Sequence, residues 1–155
     1  MSYTLRPACP TDIAACIDLR GRTRENAVSA ERLASLGITE ASWSAQVEAG
    51  TLPGFVAVAG TTLAGYCFGD AGSGEIVVLA LLPEHEGQGL GRQLLDTTTA
   101  HLVALGHRRL FLGCSANPAH RSHGFYRHLG WTPTGERDGL GDEVLEWRIG
   151  EKLSS

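Results

Sequence analysis

A chain of 155 residues can close one hydrophobic core but is short for two ordinary domains. An apolar share of 43% and a charged share of 19% belong to a folded globular protein, and a formal net charge of -4 argues against an extended nucleic-acid surface. No run approaches the roughly 20 apolar residues of a membrane span, and MSYTLRPACP lacks a hydrophobic signal region, so a cytoplasmic protein is expected. Cys9, Cys16, Cys67 and Cys114 are scattered without a C-x-x-C pair. Three of them, Cys16, Cys67 and Cys114, stand among apolar neighbours and read as small core residues. No ligand spacing among these cysteines and the six histidines supports zinc, and no metal is expected.

Tyr3 to Arg6 reads as a first strand closed by Pro7. Thr11 and Asp12 are N-cap candidates for a helix whose face is Ile13, Cys16, Ile17 and Leu19, running to about Asn26. Its end carries Arg20, Arg22 and Arg24. They are either solvated cations that suit the helix C-terminal dipole or an acceptor-binding rim for an anionic group. Ser29 can cap a short helix through Leu36, and Thr39 with Ser42 can start another through Trp43 to Gly50. Trp43 reads as core or as a cleft wall. The runs Phe55–Ala59 and Leu63–Phe68, joined by Gly60-Thr61-Thr62, read as a hairpin. Gly69 to Gly74 turns into a third strand from Glu75 to Leu82, stopped by Pro83. A helix from Leu90 to about Leu105, a strand at Leu110–Leu112, a helix near His120 to Leu129 and a last hairpin from Trp131 to Ile149 complete the chain. The whole order is written as β-α-α-β-β-β-α-β-α-β-β.

The stretch EIVVLALLPEHEGQGLGRQLL, Glu75 to Leu95, carries the strongest signal. An almost unbroken apolar strand runs into Glu86-Gly87-Gln88-Gly89-Leu90-Gly91, whose three glycines allow close backbone approach. The helix that starts inside this turn points unpartnered N–H groups and its positive dipole end forward, which suits a phosphate or pyrophosphate. A nucleotide P-loop needs a Lys after its glycines, and a dinucleotide fingerprint needs G-x-G-x-x-G; neither fits G-x-G-x-G. A glycine-rich turn with no ligand is the bland alternative.

This turn resembles the Gln/Arg-x-x-Gly-x-Gly/Ala pyrophosphate loop of the GNAT N-acetyltransferase superfamily, with Glu86 where the family usually has Gln or Arg. A second motif agrees: Phe125-Tyr126-Arg127-His128-Leu129-Gly130-Trp131 resembles the family's Phe-Tyr-x-x-x-Gly-Phe, and Asn117 stands about two residues further upstream than the family's Asn. The element order resembles the superfamily from end to end. The resemblance implies a mixed α/β (α+β) fold in one N-acetyltransferase domain over 1–155. A mostly antiparallel central mixed sheet would be flanked by helices, and its central strands would splay around acetyl-CoA. It further implies that Leu79 and Leu81 contact the pantetheine arm through their backbone. Glu86, Gly87, Gln88, Gly89, Leu90, Gly91 and Arg92 would form the pyrophosphate turn, with Asn117 and Tyr126 completing the cofactor site. Arg92 has an equally simple role as a surface charge.

Acyl transfer to an amine requires loss of an ammonium proton, stabilisation of an oxyanion and protonation of the leaving thiolate. By resemblance Tyr126 is the thiolate acid; its plain alternative is a core aromatic facing the sheet. Glu75 stands where histone-type members of the superfamily carry a catalytic Glu. Partly desolvated, it could act as base directly or through water; a solvated strand-end carboxylate is the alternative. His120, His123 and His128 surround the Tyr126 helix, and His123 shares its face, as an alternative base or an orienting group. The implied function is an acetyl-CoA-dependent N-acetyltransferase for a primary amine of a small molecule or a protein, with no nucleic acid or membrane partner. Family members often dimerise through sheet edges, so a homodimer is compatible. A non-catalytic acyl-CoA-binding sensor or partner module, marked by Glu86, is the other reading.

Overall fold

The structure, a computed structural model, describes residues 2–149. Strands β1 (Thr4–Pro7), β2 (Gly54–Ala59), β3 (Thr62–Gly69) and β4 (Ile76–Leu81) form an antiparallel sheet in that order. Strands β5 (Arg109–Cys114), β6 (Thr132–Arg137) and β7 (Glu143–Arg148) form a second antiparallel sheet, in the order β5-β7-β6. The helices are α1 (Ile13–Arg20), α2 (Ala30–Ser35), α3 (Glu40–Ala49), α4 (Leu90–Ala104) and α5 (Arg121–His128). Short 3-10 turns stand at Pro10–Asp12 and Pro83–His85. Among the described residues no helix is long and apolar enough to cross a membrane.

The two sheets are held side by side from one face. Leu90, Leu94, Leu95 and Leu102 of α4 join Ala57, Ala64, Cys67 and Ile76 of the first sheet to Leu110, Leu112 and Leu145 of the second. Each such leucine, withdrawn from water, contributes about 1.5–3 kcal/mol. The opposite face of the first sheet carries Val56, Tyr66, Phe68, Ala80 and Leu82, covered by Ile13, Cys16 and Leu19 of α1 and Trp43 of α3. Trp43 is therefore core, as are Cys16, Cys67 and Cys114, whereas Cys9 is exposed.

Three helices, not two, separate β1 from β2. The first is shorter than its pattern suggests and ends at Arg20 rather than near Asn26. Beyond it Asn26 takes a left-handed φ of 57°, the Val28 N–H donates to the Arg20 carbonyl (2.9 Å), and the Arg20 guanidinium folds back onto the Asn26 carbonyl. These bonds make a loop of residues 21–28, where the apolar spacing reads as helix to about Asn26. Asp12 does not cap α1 with its side chain. Its carboxylate instead takes two bonds from Arg6 (2.8 and 2.9 Å) and one from the Cys9 N–H (2.7 Å), which fastens β1 to the start of α1. The capping expected of Ser29 and of Thr39 with Ser42 is present.

Candidate active site

The parting of β4 from β5 creates the site. Among the described residues the two sheets share a single parallel bridge, Glu75 to Phe111, with the Phe111 N–H donating to the Gly74 carbonyl (3.3 Å). Beyond that bridge no ladder joins them. On its other side β4 is fully paired with β3, except at a bulge where Phe68 faces Val78 and Gly69 faces Ile76. The Leu82 N–H donates to the Ala64 carbonyl (2.9 Å), so by strand alternation the backbone groups of Leu79 and Leu81 face away from β3, into the split. Polar backbone groups in that position require a partner. Both leucine side chains pack against the α4-side core.

The glycine turn closes the end of the split. Gly87 and Gly89 have φ of 76° and 77°, values that side chains rarely adopt, and a Cβ built on either meets nothing within 4 Å. The turn thus faces open space. Gly91, by contrast, is packed: a Cβ there would lie 3.3 Å from Leu81 and 3.6 Å from Phe125, so its absence lets the first turn of α4 approach β4 and α5. Gln88 is held through its side-chain carbonyl by the Tyr3 hydroxyl (3.1 Å), which also bonds the buried His85 ring at Nδ1 (2.8 Å). Leu90 is buried at the base of the turn, and Arg92 lies on the outer face of α4 near Asp96 (3.6 Å).

Glu86 is neutralised by two arginines. Its carboxylate, only 16% exposed, pairs with Arg24 of the 21–28 loop (2.8 Å) and with Arg121 at the start of α5 (2.5 Å). Glu25, next to Arg24, accepts the Arg121 backbone N–H (3.0 Å). The three arginines at the end of α1 thus separate: Arg20 turns onto its own loop, Arg22 pairs with Asp18 (3.2 Å), and only Arg24 reaches the turn. Asn117 uses its side-chain oxygen on the Ala119 N–H (2.9 Å), which shapes the approach to α5. Nearby, Ser115 Oγ bonds His120 Nδ1 (2.6 Å), while His123 lends its carbonyl to Arg127 (2.9 Å).

Tyr126 is the buried residue of α5 and belongs to the α4-side core, with its ring against Phe125 and Trp131 (centroids 5.1 and 6.3 Å). Burial pushes its phenol well above the usual tyrosine range. Glu75 precedes Ile76, which points into that same core, so alternation sends the Glu75 side chain to the opposite face of the strand. Its carboxylate has no hydrogen bond or ion pair among the described residues. Burial, followed by repulsion from Asp70 and Asp138, raises its pKa above the ordinary carboxylate range. Asp138, from the β6–β7 turn, packs over β5 where Gly113 leaves room, since a Cβ there would lie 2.5 Å from Asp138 Oδ2. Arg121, Asp138 and the Tyr3–His85 support escape sequence reasoning, because each acts on a residue far away in the chain and follows no spacing rule.

Residues 16–131 match the family model of the acetyltransferase (GNAT) family, well over half of the chain. The chain therefore belongs to the GNAT acetyltransferases. Over 64 residues it is 42% identical to a mycothiol acetyltransferase of Beutenbergia cavernae, a match that takes in 41% of this chain and 21% of that protein. The chain thus spans only about a fifth of that relative. Its fold is similar to the PaiA N-acetyltransferase of Thermoplasma acidophilum in complex with coenzyme A, with a TM-score of 0.80, 19% identity and coverage of 96% of this chain and 99% of that one. It is also similar to the ribosomal-protein-S18-alanine N-acetyltransferase of Escherichia coli (TM-score 0.71, 20% identity, 96% and 94% coverage) and to YncA of Salmonella typhimurium with its cofactor acetyl-CoA (0.71, 19%, 96% and 95%).

Proposed function

We propose that this chain is a single N-acetyltransferase domain that moves an acetyl group from acetyl-CoA to a primary amine of a small molecule or protein. The observation that carries the reading is the split between β4 and β5, with the backbone of Leu79 and Leu81 turned into it and the open glycine turn at its end. An amide-rich arm fits such a split as an added strand, and the N–H groups of Gly87, Gly89, Leu90, Gly91 and Arg92 suit its pyrophosphate. Gln88 and Glu86 serve this turn by fixing its shape, through Tyr3 and through Arg24 and Arg121. Asn117 serves the site by shaping the loop before α5 rather than by reaching a ligand with its side-chain oxygen.

Acetyl-CoA supplies an activated acyl thioester. Glu75 and Tyr126 then divide the proton work from the two faces of the split strand. Glu75, carrying a raised pKa and no internal partner, takes the ammonium proton, directly or through water. The freed amine attacks the thioester carbonyl directly, the new C–N bond replaces the C–S bond, and Tyr126, a neutral phenol, gives its proton to the departing sulfur. The non-catalytic binding-module reading rests on Glu86 as a mark of lost function. Two arginines neutralise that carboxylate, which supports the enzyme reading instead.

Release of free thiol from acetyl-CoA, followed across a panel of amines, tests the reaction. Tyr126→Phe should lower kcat about 100-fold while leaving the Kd for acetyl-CoA within twofold. Unchanged turnover would remove Tyr126 from the acid role.

A further inference from the structure

Loop 21–28, the glycine turn and the start of α5 meet at one carboxylate. Glu86 binds Arg24 through Nε and Arg121 through one terminal nitrogen, and among the described residues neither guanidinium has another hydrogen-bonded partner. Each therefore keeps unused donors, and both side chains are more than half exposed (56% and 58%), whereas Glu86 is largely covered. A guanidinium carries five donors in a fixed fork, so one bound carboxylate does not exhaust it. The residue that gathers these two forks immediately precedes Gly87, the first of the open glycines.

We propose that Arg24 and Arg121, held in place by Glu86, form a two-guanidinium clamp for the phosphate groups of the cofactor. In this proposal, which rests on the acetyl-CoA reading above, Glu86 is a positioning residue. It fixes both cations at the turn so that little side-chain freedom is lost when phosphate arrives. Glu25 completes the frame by accepting the Arg121 backbone N–H, which ties the start of α5 to loop 21–28. The clamp also gives loop 21–28 a direct stake in the cofactor, joining the segment before α2 to the phosphate turn.

The sign of one substitution decides between a clamp and a competitor. If Glu86 merely occupied the arginines in place of phosphate, Glu86→Gln would tighten acetyl-CoA binding. As a positioning residue, its loss should weaken binding. Calorimetric titration of wild-type, Glu86→Gln, Arg24→Gln and Arg121→Gln chains with acetyl-CoA and with the phosphate-free S-acetylpantetheine provides the test. Each variant should bind acetyl-CoA about 5–10-fold more weakly, in keeping with charge-assisted bonds at an exposed site, and S-acetylpantetheine should bind all four chains alike. The phosphate-free ligand also checks that each variant keeps its folded site. Tighter binding by Glu86→Gln, or equal losses for both ligands, overturns the clamp. Failure of the wild-type chain to bind acetyl-CoA at all overturns the cofactor reading beneath it.

Discussion

At the scale of single residues, Glu75 and Tyr126 illustrate how environment assigns a role. Both are pushed above their ordinary pKa, and burial is the first cause for each. Tyr126 is shifted by burial in the core, which keeps the phenol neutral and makes it a weaker acid than a solvated tyrosine. Glu75 is shifted by partial burial and then by the like charges of Asp70 and Asp138. A raised pKa makes a carboxylate a better proton acceptor once it is ionised. If Glu75 is the base, activity requires its ionised form, so kcat/KM should rise with pH through a value above the ordinary glutamate range and then level off. Glu75→Gln should lower kcat about 100-fold at neutral pH and abolish that acid limb. A pH–rate profile of the two proteins measures both effects, and an acid limb that persists in the variant excludes Glu75.

At the scale of elements, the joins between strands and helices matter more than the elements themselves. The join of β1 to α1 depends on Asp12, whose carboxyl is held below the usual range, mainly by the Arg6 hydrogen bonds and also by the Cys9 N–H. A folded-state pKa below the unfolded value contributes stability that is present above the unfolded value, roughly pH 3.9, and is lost as pH falls through the folded one. Asp12→Asn should therefore cost about 1 kcal/mol at pH 7, allowing for the exposure of Arg6. That corresponds to a melting temperature lower by roughly 2–4 °C. Thermal melts from pH 7 to about pH 2.5 should show the gap between wild type and variant closing as Asp12 is protonated. A gap that stays constant would mean the variant acts through packing. The join of β4 to α4 is the functional counterpart: Pro83 ends the strand, Gly87 and Gly89 supply the left-handed turns, and Tyr3 with His85 holds Gln88 between them.

At the scale of the whole molecule, two sheets share one bridge among the described residues and are bound together chiefly by the leucines of α4 and by α5, whose Arg127 pairs with Glu143 of β7. A ligand seated in the split would touch both sheets and add to that sparse connection. Acetyl-CoA at a hundredfold excess over its Kd should stabilise the fold by about 2.7 kcal/mol, a rise in melting temperature of roughly 5–11 °C for a chain of this size. Free CoA should act similarly, whereas ATP and NAD at equal concentration should not. A shift produced equally by all four would point to general anion binding.

How much of this was legible in the chain depends on the range of the interactions involved. Local chemistry determined the capped helices at Ser29 and Thr39, the Gly60 hairpin, the glycine turn and the Phe125-Tyr126 segment, because propensity, turn geometry and helical spacing act over a few residues. Those same local patterns carried the resemblance to the GNAT acetyltransferases, including the splayed strands. Only the tertiary structure decided that Trp43 lies in the core, that α1 stops at Arg20, and that Glu86 is neutralised by two arginines. Arg24 and Glu86 are 62 positions apart, and Arg121 and Glu86 are 35 apart. No periodicity links such pairs, since their meeting is fixed by the packing of strands and helices between them.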